Sequence, residues 1–242
     1  MDVFNNVIYQ NNALKPGGSG FGNGGGIYCR YNRSNQFNNT IIGNSAEGEG
    51  GGIYVLNQAN TIPVVTNTIV RDNTAPTGPE IHLAVTTGSG NTYVSDAEVT
   101  YCNVAGGWTG TGNIDAPPLF HRPTFGDFQL LPGSPGIDAG DNTVENLPEE
   151  DFVGRDRIVD GDENGTTVID IGALEFDPNG PMPGDIDGNK AVNLVDTVLI
   201  LRLLAGQDIA MGTDLANIDV NEDGVVGLEE ALFTLQYQVR LP

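Results

Sequence analysis

The sequence predicts a mainly β fold, in which a right-handed parallel β-helix is followed by a small all-α domain. The first observation is a repeat, because the glycine-rich residues 24–29 recur as residues 50–55. The second is that the apolar segments of this repeat are short and bounded by Gly and Asn, which is typical of strands and too short for helices. The third is a change of pattern from residue 185, where two acidic loops each precede a segment of helical periodicity.

Further copies extend the repeat in both directions. A half-copy occupies residues 4–9 and a degraded copy runs from residue 81 to residue 101. Self-similarity at a fixed period is typical of a solenoid, and a coil of three short strands takes about this many residues. Alternate side chains of a strand face inward. We therefore expect two stacked apolar columns, one of Ile8, Ile41 and Ile69 and one of Ile27, Ile53 and Ile81.

Three asparagines, Asn11, Asn44 and Asn73, fall at the same turn of successive coils. Their amides can form hydrogen bonds from coil to coil, and we interpret them as structural because buried polar groups need partners. The two cysteines, Cys29 and Cys102, lie about three coils apart in different columns. Since strands are spaced about 4.8 Å apart, that gap is too long for a disulfide, and we predict two free thiols.

The composition excludes some partners. The chain has 242 residues and a formal net charge of −22, so its surface repels nucleic acid and anionic membranes and suits cations. No apolar run reaches the length of a membrane span. The coil repeat begins without a glycine-rich opening or a cap, which would expose Val3, Phe4 and Ile8. We expect that the natural polypeptide continues upstream or that the chain associates with itself through this end.

The sequence pattern changes after the coils. Four motifs follow one another, Pro-Leu-Phe at 118–120, Gly-Asp-Phe-Gln-Leu at 126–130, Ser-Pro-Gly-Ile-Asp-Ala-Gly at 134–140 and Asp-Ile-Gly-Ala-Leu-Glu at 170–175. Over residues 1–176 the chain resembles bacterial secreted right-handed β-helix proteins of the choice-of-anchor type, which often have Cys in place of Gly136. The resemblance implies the β-helix fold and secretion, either to the cell surface or out of the cell. It implies no single chemistry. We expect this segment to fold back over the last coil and cover its open edge.

We interpret residues 177–184 as a linker, because a stretch with three Pro and two Gly among eight residues does not form a regular helix or strand. The second domain then occupies residues 185–242. Its loops, residues 185–196 and 219–230, place oxygen side chains at loop positions 1, 3, 5 and 12, as a twelve-residue calcium loop does. The predicted Ca²⁺ ligands are Asp185, Asp187, Asn189, Ala191, Asn193 and Asp196 in the first loop, and Asp219, Asn221, Asp223, Val225 and Glu230 in the second.

Ala191 and Val225 would contribute backbone carbonyl groups. Position 6 is Gly224 in the second loop but Lys190 in the first, which costs about 1–2 kcal/mol if that residue is left-handed. We therefore expect a weaker or distorted first site. A third acidic turn carries Asp160, Asp162 and Asn164 with Ile171 at position 12. It is either a calcium site that Asp170 or water completes, or a bare solvated turn.

Each loop leads into a helical pattern, with Val195, Val198 and Leu199 after the first and Leu228, Ala231 and Leu232 after the second. Two such loops, 34 residues apart, resemble a type I dockerin, and the segments 227–231 and 235–236 are similar to the dockerin-like tails of non-cellulosomal bacteria. The resemblance implies Ca²⁺ as cofactor and a cohesin-like or other protein partner. Cohesin-binding dockerins often carry Ser or Thr at loop positions 10 and 11, whereas this chain has Leu194-Val195 and Leu228-Glu229. The alternative is two solvated acidic turns.

Catalytic candidates are sparse. Arg71 and Asp72 lie at a coil turn, and the histidines His82 and His121 are far apart in the sequence. Tyr9, Tyr28 and Tyr54 form either an exterior ladder for sugar stacking or ordinary packing on a strand surface. Two functions stay open. The first is a secreted binding or structural protein with a role in carbohydrate binding or surface attachment. The second is a polysaccharide lyase or glycoside hydrolase that acts on acidic polysaccharide.

Overall fold

The computed structural model describes residues 2–15, 21–31, 33–57, 61–88, 90–180, 182–209, 217–221 and 223–240, with side chains up to Tyr237. Pro181 of the expected linker and Glu222 of the second loop therefore lie outside the described residues. The chain divides into two compact units, Met1–Pro178 and Asn179–Pro242.

The first unit is built of short strands. In chain order they are β1 (Val3–Phe4), β2 (Val7–Tyr9), β3 (Asn12–Ala13), β4 (Ile27–Arg30), β5 (Asn35–Phe37), β6 (Thr40–Ile42), β7 (Ser45–Ala46), β8 (Ile53–Leu56), β9 (Val64–Thr66), β10 (Ile69–Arg71), β11 (Ile81–Leu83), β12 (Val85–Gly88), β13 (Asn91–Val94), β14 (Glu98–Thr100), β15 (Asn103–Val104), β16 (Phe120–Arg122), β17 (Asp127–Leu130), β18 (Ile158–Val159) and β19 (Val168–Ile169).

Three parallel sheets dominate this unit. Their strand orders are β1-β5-β9-β14, β2-β6-β10-β15 and β4-β8-β11, so strands adjacent in the sequence belong to different sheets. Side chains from all three sheets meet in one apolar core, which includes Ile41, Ile53 and Val65. These parallel sheets are compatible with the predicted β-helix.

One predicted column is confirmed and the other is wrong at one position. Ile53 pairs in register with Ile27 on one side and Ile81 on the other. In the second column Ile8 pairs with Ile41, but Ile41 pairs with Val70, whereas Ile69 pairs with Thr40. A slip of one residue moves a side chain to the other face of its sheet, and Ile69 accordingly packs in a second apolar cluster.

The turn asparagines form the predicted ladder. The backbone N–H and the side-chain amide of Asn11 both donate to Asn44 Oδ1, and those of Asn44 both donate to Asn73 Oδ1 at 2.9 Å. Asn73 donates from Nδ2 to Glu80 Oε2 at 2.6 Å. The carboxyl group of Glu80 thus takes the place of the next asparagine and ends the ladder.

Because Glu80 is buried at the end of this ladder, the first unit should lose stability as the pH rises. Burial raises the pKa of Glu80 to about 7, against the lowering effect of the hydrogen bonds from Asn73. A raised carboxyl pKa stabilises the folded state fully below the unfolded pKa of 4.5, and this stabilisation disappears as the pH passes the folded pKa. We expect a loss of at most about 3 kcal/mol between pH 4.5 and pH 8.

Urea unfolding at several pH values, followed by the fluorescence of Trp108 in this unit, measures the effect. The Glu80→Gln variant keeps an oxygen acceptor for Asn73 but cannot ionise, so its stability should depend less on pH than that of the wild type. Equal pH dependence in both proteins would exclude Glu80 as the cause.

The segment after the coils meets the expected open edge of the last coil over a short stretch and otherwise covers a different surface. Only the stretch near Ile114 adds to it, through a bond from Ile114 N to Cys102 O. The rest covers the outer face of the β2-β6-β10-β15 sheet, where Ala173 N donates to Thr40 Oγ1 and Gly172 N to Asn67 O. The reason is apolar surface, since Ile42 and Ile69 on that face pack against side chains of this segment: Phe120, Phe128, Leu130, Ile171 and Leu174.

Both cysteines are free, as predicted, and the structure shows that both are buried. Burial raises the pKa of Cys102 to about 12, so its thiol stays protonated at neutral pH.

The second unit contains two helices, α1 (Leu194–Leu204) and α2 (Leu228–Arg240). Ile186 from the first loop and Ile218, which directly precedes the second loop, pack with Ile200 and Ala231 from the helices in a small core. The chain is therefore mainly β with a small helical region near its C-terminus. Among the described residues, no helix has the length and apolar character needed to cross a membrane.

Candidate metal centres

The first acidic loop brings three carboxylates together. Oxygen atoms of Asp185, Asp187 and Asp196 all lie within 4.8 Å of one another. Asp185 and Asp196 are buried, and burial, with the charge of Asp196, raises the pKa of Asp185 despite its hydrogen bonds to backbone amides. Converging buried carboxylates repel one another, and a bound cation would relieve that repulsion.

The second loop supplies an independent sign that a cation fits. Glu230, at loop position 12, is 0% exposed. Its Oε2 accepts from Gly227 N at 2.6 Å, whereas its Oε1 is buried and has no hydrogen-bond partner among the residues that the structure describes. A carboxylate oxygen without a partner is costly in a protein interior. Position 12 is where a calcium loop places its bidentate carboxylate, so the ion would satisfy this oxygen.

The two loops share a hydrogen-bond pattern, and the third acidic turn has it as well. In each, the carboxylate at position 1 accepts from the backbone N–H groups of positions 5 and 6: Asn189 and Lys190 donate to Asp185, Asp223 and Gly224 to Asp219, and Asn164 and Gly165 to Asp160. The side chain at position 3 also accepts from the N–H of position 5. The backbone at position 6 is left-handed in all three turns.

A fourth residue joins the third turn from elsewhere in the chain. Carboxylate oxygens of Asp138, Asp160 and Asp162 lie within 4.8 Å of one another. Asp170 does not complete this cluster, because its oxygens accept from Asp138 N and Phe176 N. Asp138 lies 22 residues before Asp160 in the sequence, so the twelve-residue spacing of a calcium loop could not reveal it.

Not every predicted ligand faces the first cluster. Asn193 caps α1, since its Oδ1 accepts from Val195 N at 2.8 Å and its Nδ2 donates to Ala191 O at 3.0 Å. Asp196 completes this capping box by accepting from Asn193 N. The side-chain oxygen of Asn193 is therefore already engaged as a helix cap.

The left-handed residue in the first loop gives a direct test of the predicted weakness of that loop. Lys190 has a φ of +63°, which costs a side-chain-bearing residue about 1–2 kcal/mol. We expect Lys190→Gly to raise calcium affinity at this loop about tenfold, as measured by titration calorimetry. Lys190→Ala is the matched control, because it removes the same charge but keeps the strain. Equal gains in both variants would assign the effect to charge.

Each half of the second unit exposes an equivalent apolar face. The residues at positions 10, 14 and 17, counted from the start of each loop, are at least two-fifths exposed. They are Leu194, Val198 and Leu201 in the first half, and Leu228, Leu232 and Leu235 in the second. Contiguous exposed apolar residues on a small domain indicate an interaction surface.

The catalytic candidates have structural roles. Arg71 donates to Asn103 Oδ1 and forms an ion pair with Asp115 at 2.9 Å. His82 stacks on Tyr54, which stacks on Tyr28, with ring centroids 5.6 and 5.0 Å apart. This ladder packs on the strand surface. Tyr9 was wrongly grouped with it, since its ring contacts Phe128 instead. The sequence did not predict the contact between His121 Nδ1 and Asp127 Oδ2, which lie 2.6 Å apart.

Comparison with known proteins gives a match within the second unit. Searches find no matching curated protein and no matching solved structure. Residues 183–232 match the family model of the dockerin type I domain. Dockerin type I domains bind Ca²⁺ through EF-hand-like loops, and a dockerin implies a cohesin partner. Dockerin proteins are typically extracellular or on the cell surface. This chain therefore carries a segment similar to the dockerin type I domain, and Ca²⁺ is its cofactor.

Proposed function

We propose that the chain is a secreted or cell-surface protein that a calcium-ordered dockerin module attaches to a protein partner. The observation that carries this proposal is the dockerin match over residues 183–232, together with the two loops of equal hydrogen-bond pattern. The Met1–Pro178 unit is proposed to be a right-handed parallel β-helix, which the three parallel sheets support. In this reading residues 177–184 link the β-helix, residues 1–176, to the module, residues 185–242.

The proposed ligands follow from the loop positions. In the first loop they are Asp185, Asp187, Asn189, Asp196 and the Ala191 carbonyl, and Asn193 acts through a water while it caps α1. In the second loop they are Asp219, Asn221, Asp223, Glu230 and the Val225 carbonyl. The repeated local pattern supports a third calcium ion held by Asp160, Asp162 and Asn164, with Asp138 in place of the missing position 12.

The attachment partner is proposed to be a cohesin domain that recognises the repeated apolar face. Because Leu194 and Leu228 stand where other dockerins often have Ser or Thr, contact at this position is apolar here. Replacing both by Ser should weaken binding to a type I cohesin at least tenfold, since each buried leucine contributes about 1.5–3 kcal/mol. Both side chains are exposed, so the fold should be unaffected.

Surface plasmon resonance against a panel of immobilised type I cohesins, with Ca²⁺ and with EDTA, measures this effect. Leu14→Ser in the first unit is the matched control, because Leu14 is exposed and lies outside the module. Calcium-dependent binding that the double variant retains would place the partner on another surface. No binding to any cohesin would refute the cohesin partner.

For the first unit we propose carbohydrate binding, with a polysaccharide lyase or glycoside hydrolase as the alternative. The structural roles of Arg71 and His82 favour binding over catalysis. Turnover of uronic-acid polymers would establish the alternative. Self-association through β1 and β2, which are edge strands of their sheets, stays a prediction that light scattering after a sizing column would test.

A further inference from the structure

A cleft in the first unit lies between the coil and the segment that covers it. Its walls come from β2, which contributes Val7 and Tyr9, from β17 and from the turn after Asp151. The cavity measures about 260 Å³, slightly below the range of pockets for drug-sized ligands. It therefore suits one small ring and is too small for a nucleotide cofactor. We call it the Tyr9–Phe152 cleft, after two of the residues that line it.

Two half-exposed apolar side chains line this cleft on a turn that hydrogen bonds hold in place. Phe152 is 55% exposed and Val153 is 51% exposed. The turn that presents them is anchored by the buried carboxylate of Asp151, which accepts from the N–H groups of Val153, Arg155 and Glu175 at 2.8–2.9 Å. Phe152 N also donates to Ala173 O. Exposed apolar groups on a fixed turn lose little entropy when they bind a ligand.

Polar groups converge on the same space. The hydroxyl group of Tyr9 lies over Gly126, where an added Cβ would stand 2.9 Å from it. Asp127 lines the cleft, and its oxygens accept from His121 and from Gln129 N. Burial alone would raise the pKa of Asp127, but the bond with His121 lowers it below the ordinary value. An ionised carboxylate has further lone pairs and only accepts, so a ligand must offer donors.

We propose that the Tyr9–Phe152 cleft binds one ring of a neutral polysaccharide. A sugar ring offers an apolar face to Phe152 and hydroxyl donors to Asp127 and Tyr9. Anionic sugars are disfavoured by Asp127 and by the net charge of −22. An apolar peptide side chain would remove water from the remaining lone pairs of the Asp127 carboxylate and offer them no donor. The inference rests on the carbohydrate-binding role proposed for this unit and names the site and the class of sugar.

Titration calorimetry of the full chain in Ca²⁺ tests it, with hexasaccharides of β-1,4-linked glucose, xylose and mannose and with an oligogalacturonate as the acidic probe. We expect one neutral probe to bind independently of salt, since no ion pair forms. Phe152→Ala should weaken binding about three- to tenfold, and Tyr9→Phe, which removes only the hydroxyl group, about two- to tenfold. Tyr93→Ala is the matched control, because Tyr93 is an exposed aromatic residue of β13 outside the cleft.

Neutral binding that neither cleft variant weakens would overturn this site and leave the carbohydrate role standing. Binding of the oligogalacturonate alone would overturn the neutral class and favour an acidic substrate. Failure of every probe would overturn both the site and the carbohydrate role, while calcium-dependent attachment would be unaffected. Trp108 fluorescence confirms that each variant is folded.

Discussion

Removal of calcium is expected to melt α1 and α2 and to leave the Met1–Pro178 unit folded. The buried carboxylates of Asp185 and Asp196 would then face one another without a counter-charge, and the buried carboxylate of Glu230 in the second loop would also lack one. Uncompensated buried charges cost several kcal/mol, and the small core around Ile200 and Ala231 has little stability to offset that cost. Calcium binding and folding of this unit should therefore be one event.

Far-UV circular dichroism at the helical band measures this outcome when EDTA is added and calcium is then restored. The fluorescence of Trp108, which packs against the core of the first unit, serves as the internal control and should not change. A helical signal that EDTA leaves intact would show that the loops are ordinary acidic turns.

Replacing Arg157 by Met should destabilise the first unit by about 3–5 kcal/mol, as expected when one partner of a buried ion pair is removed. Arg157 is 1% exposed. It donates to the carbonyl oxygens of Gly172 and Ala173, to Glu175 Oε2 at 3.1 Å and to Asn5 Oδ1. The bond to Asn5 joins the covering segment to the turn between β1 and β2, and the other bonds hold the covering segment together.

The loss should depend on pH in a diagnostic way. Burial, with the charge of Asp170, raises the pKa of Glu175, so this carboxyl can take up a proton when Arg157 is absent. We therefore expect a smaller loss at pH 8 than at pH 10. Urea unfolding followed by Trp108 fluorescence measures it, and the exposed Arg30→Met serves as control. Arg157→Met combined with Glu175→Gln should recover part of the loss. If single and double variants were equally destabilised, packing alone would explain the effect.

The sequence was informative where spacing along the chain is itself the signal. The twelve-residue loops and their helices follow from local spacing, and the turn positions of Asn44 and Asn73 carry the correct step between coils. The Asn-Thr-Ile resemblance of residues 39–41 and 67–69 was misleading, because the structure pairs Ile69 with Thr40. Local similarity could not reveal that one added residue changes the face on which a side chain lies.

Features that depend on distant contacts could not be predicted. Asp138 reaches Asp160 only through the packing of the covering segment. The outer face of the β2-β6-β10-β15 sheet needs cover because Ile42 and Ile69 point to it. The helical periodicity of Leu228 and Leu232 predicted α2, but it could not show that these residues stay exposed. Periodicity identifies an apolar face, whereas the partner of that face is set by tertiary packing.

Calcium stoichiometry, measured by equilibrium dialysis of the full chain, tests the central claim most directly. We expect calcium bound at both acidic loops of the second unit and at the Asp160 turn. Asp196→Asn should remove one ion, Glu230→Gln a second and Asp160→Asn the third, while Asp72→Asn at a coil turn should remove none. A chain that binds no calcium, or one whose bound calcium is unchanged by the loop variants, would contradict it.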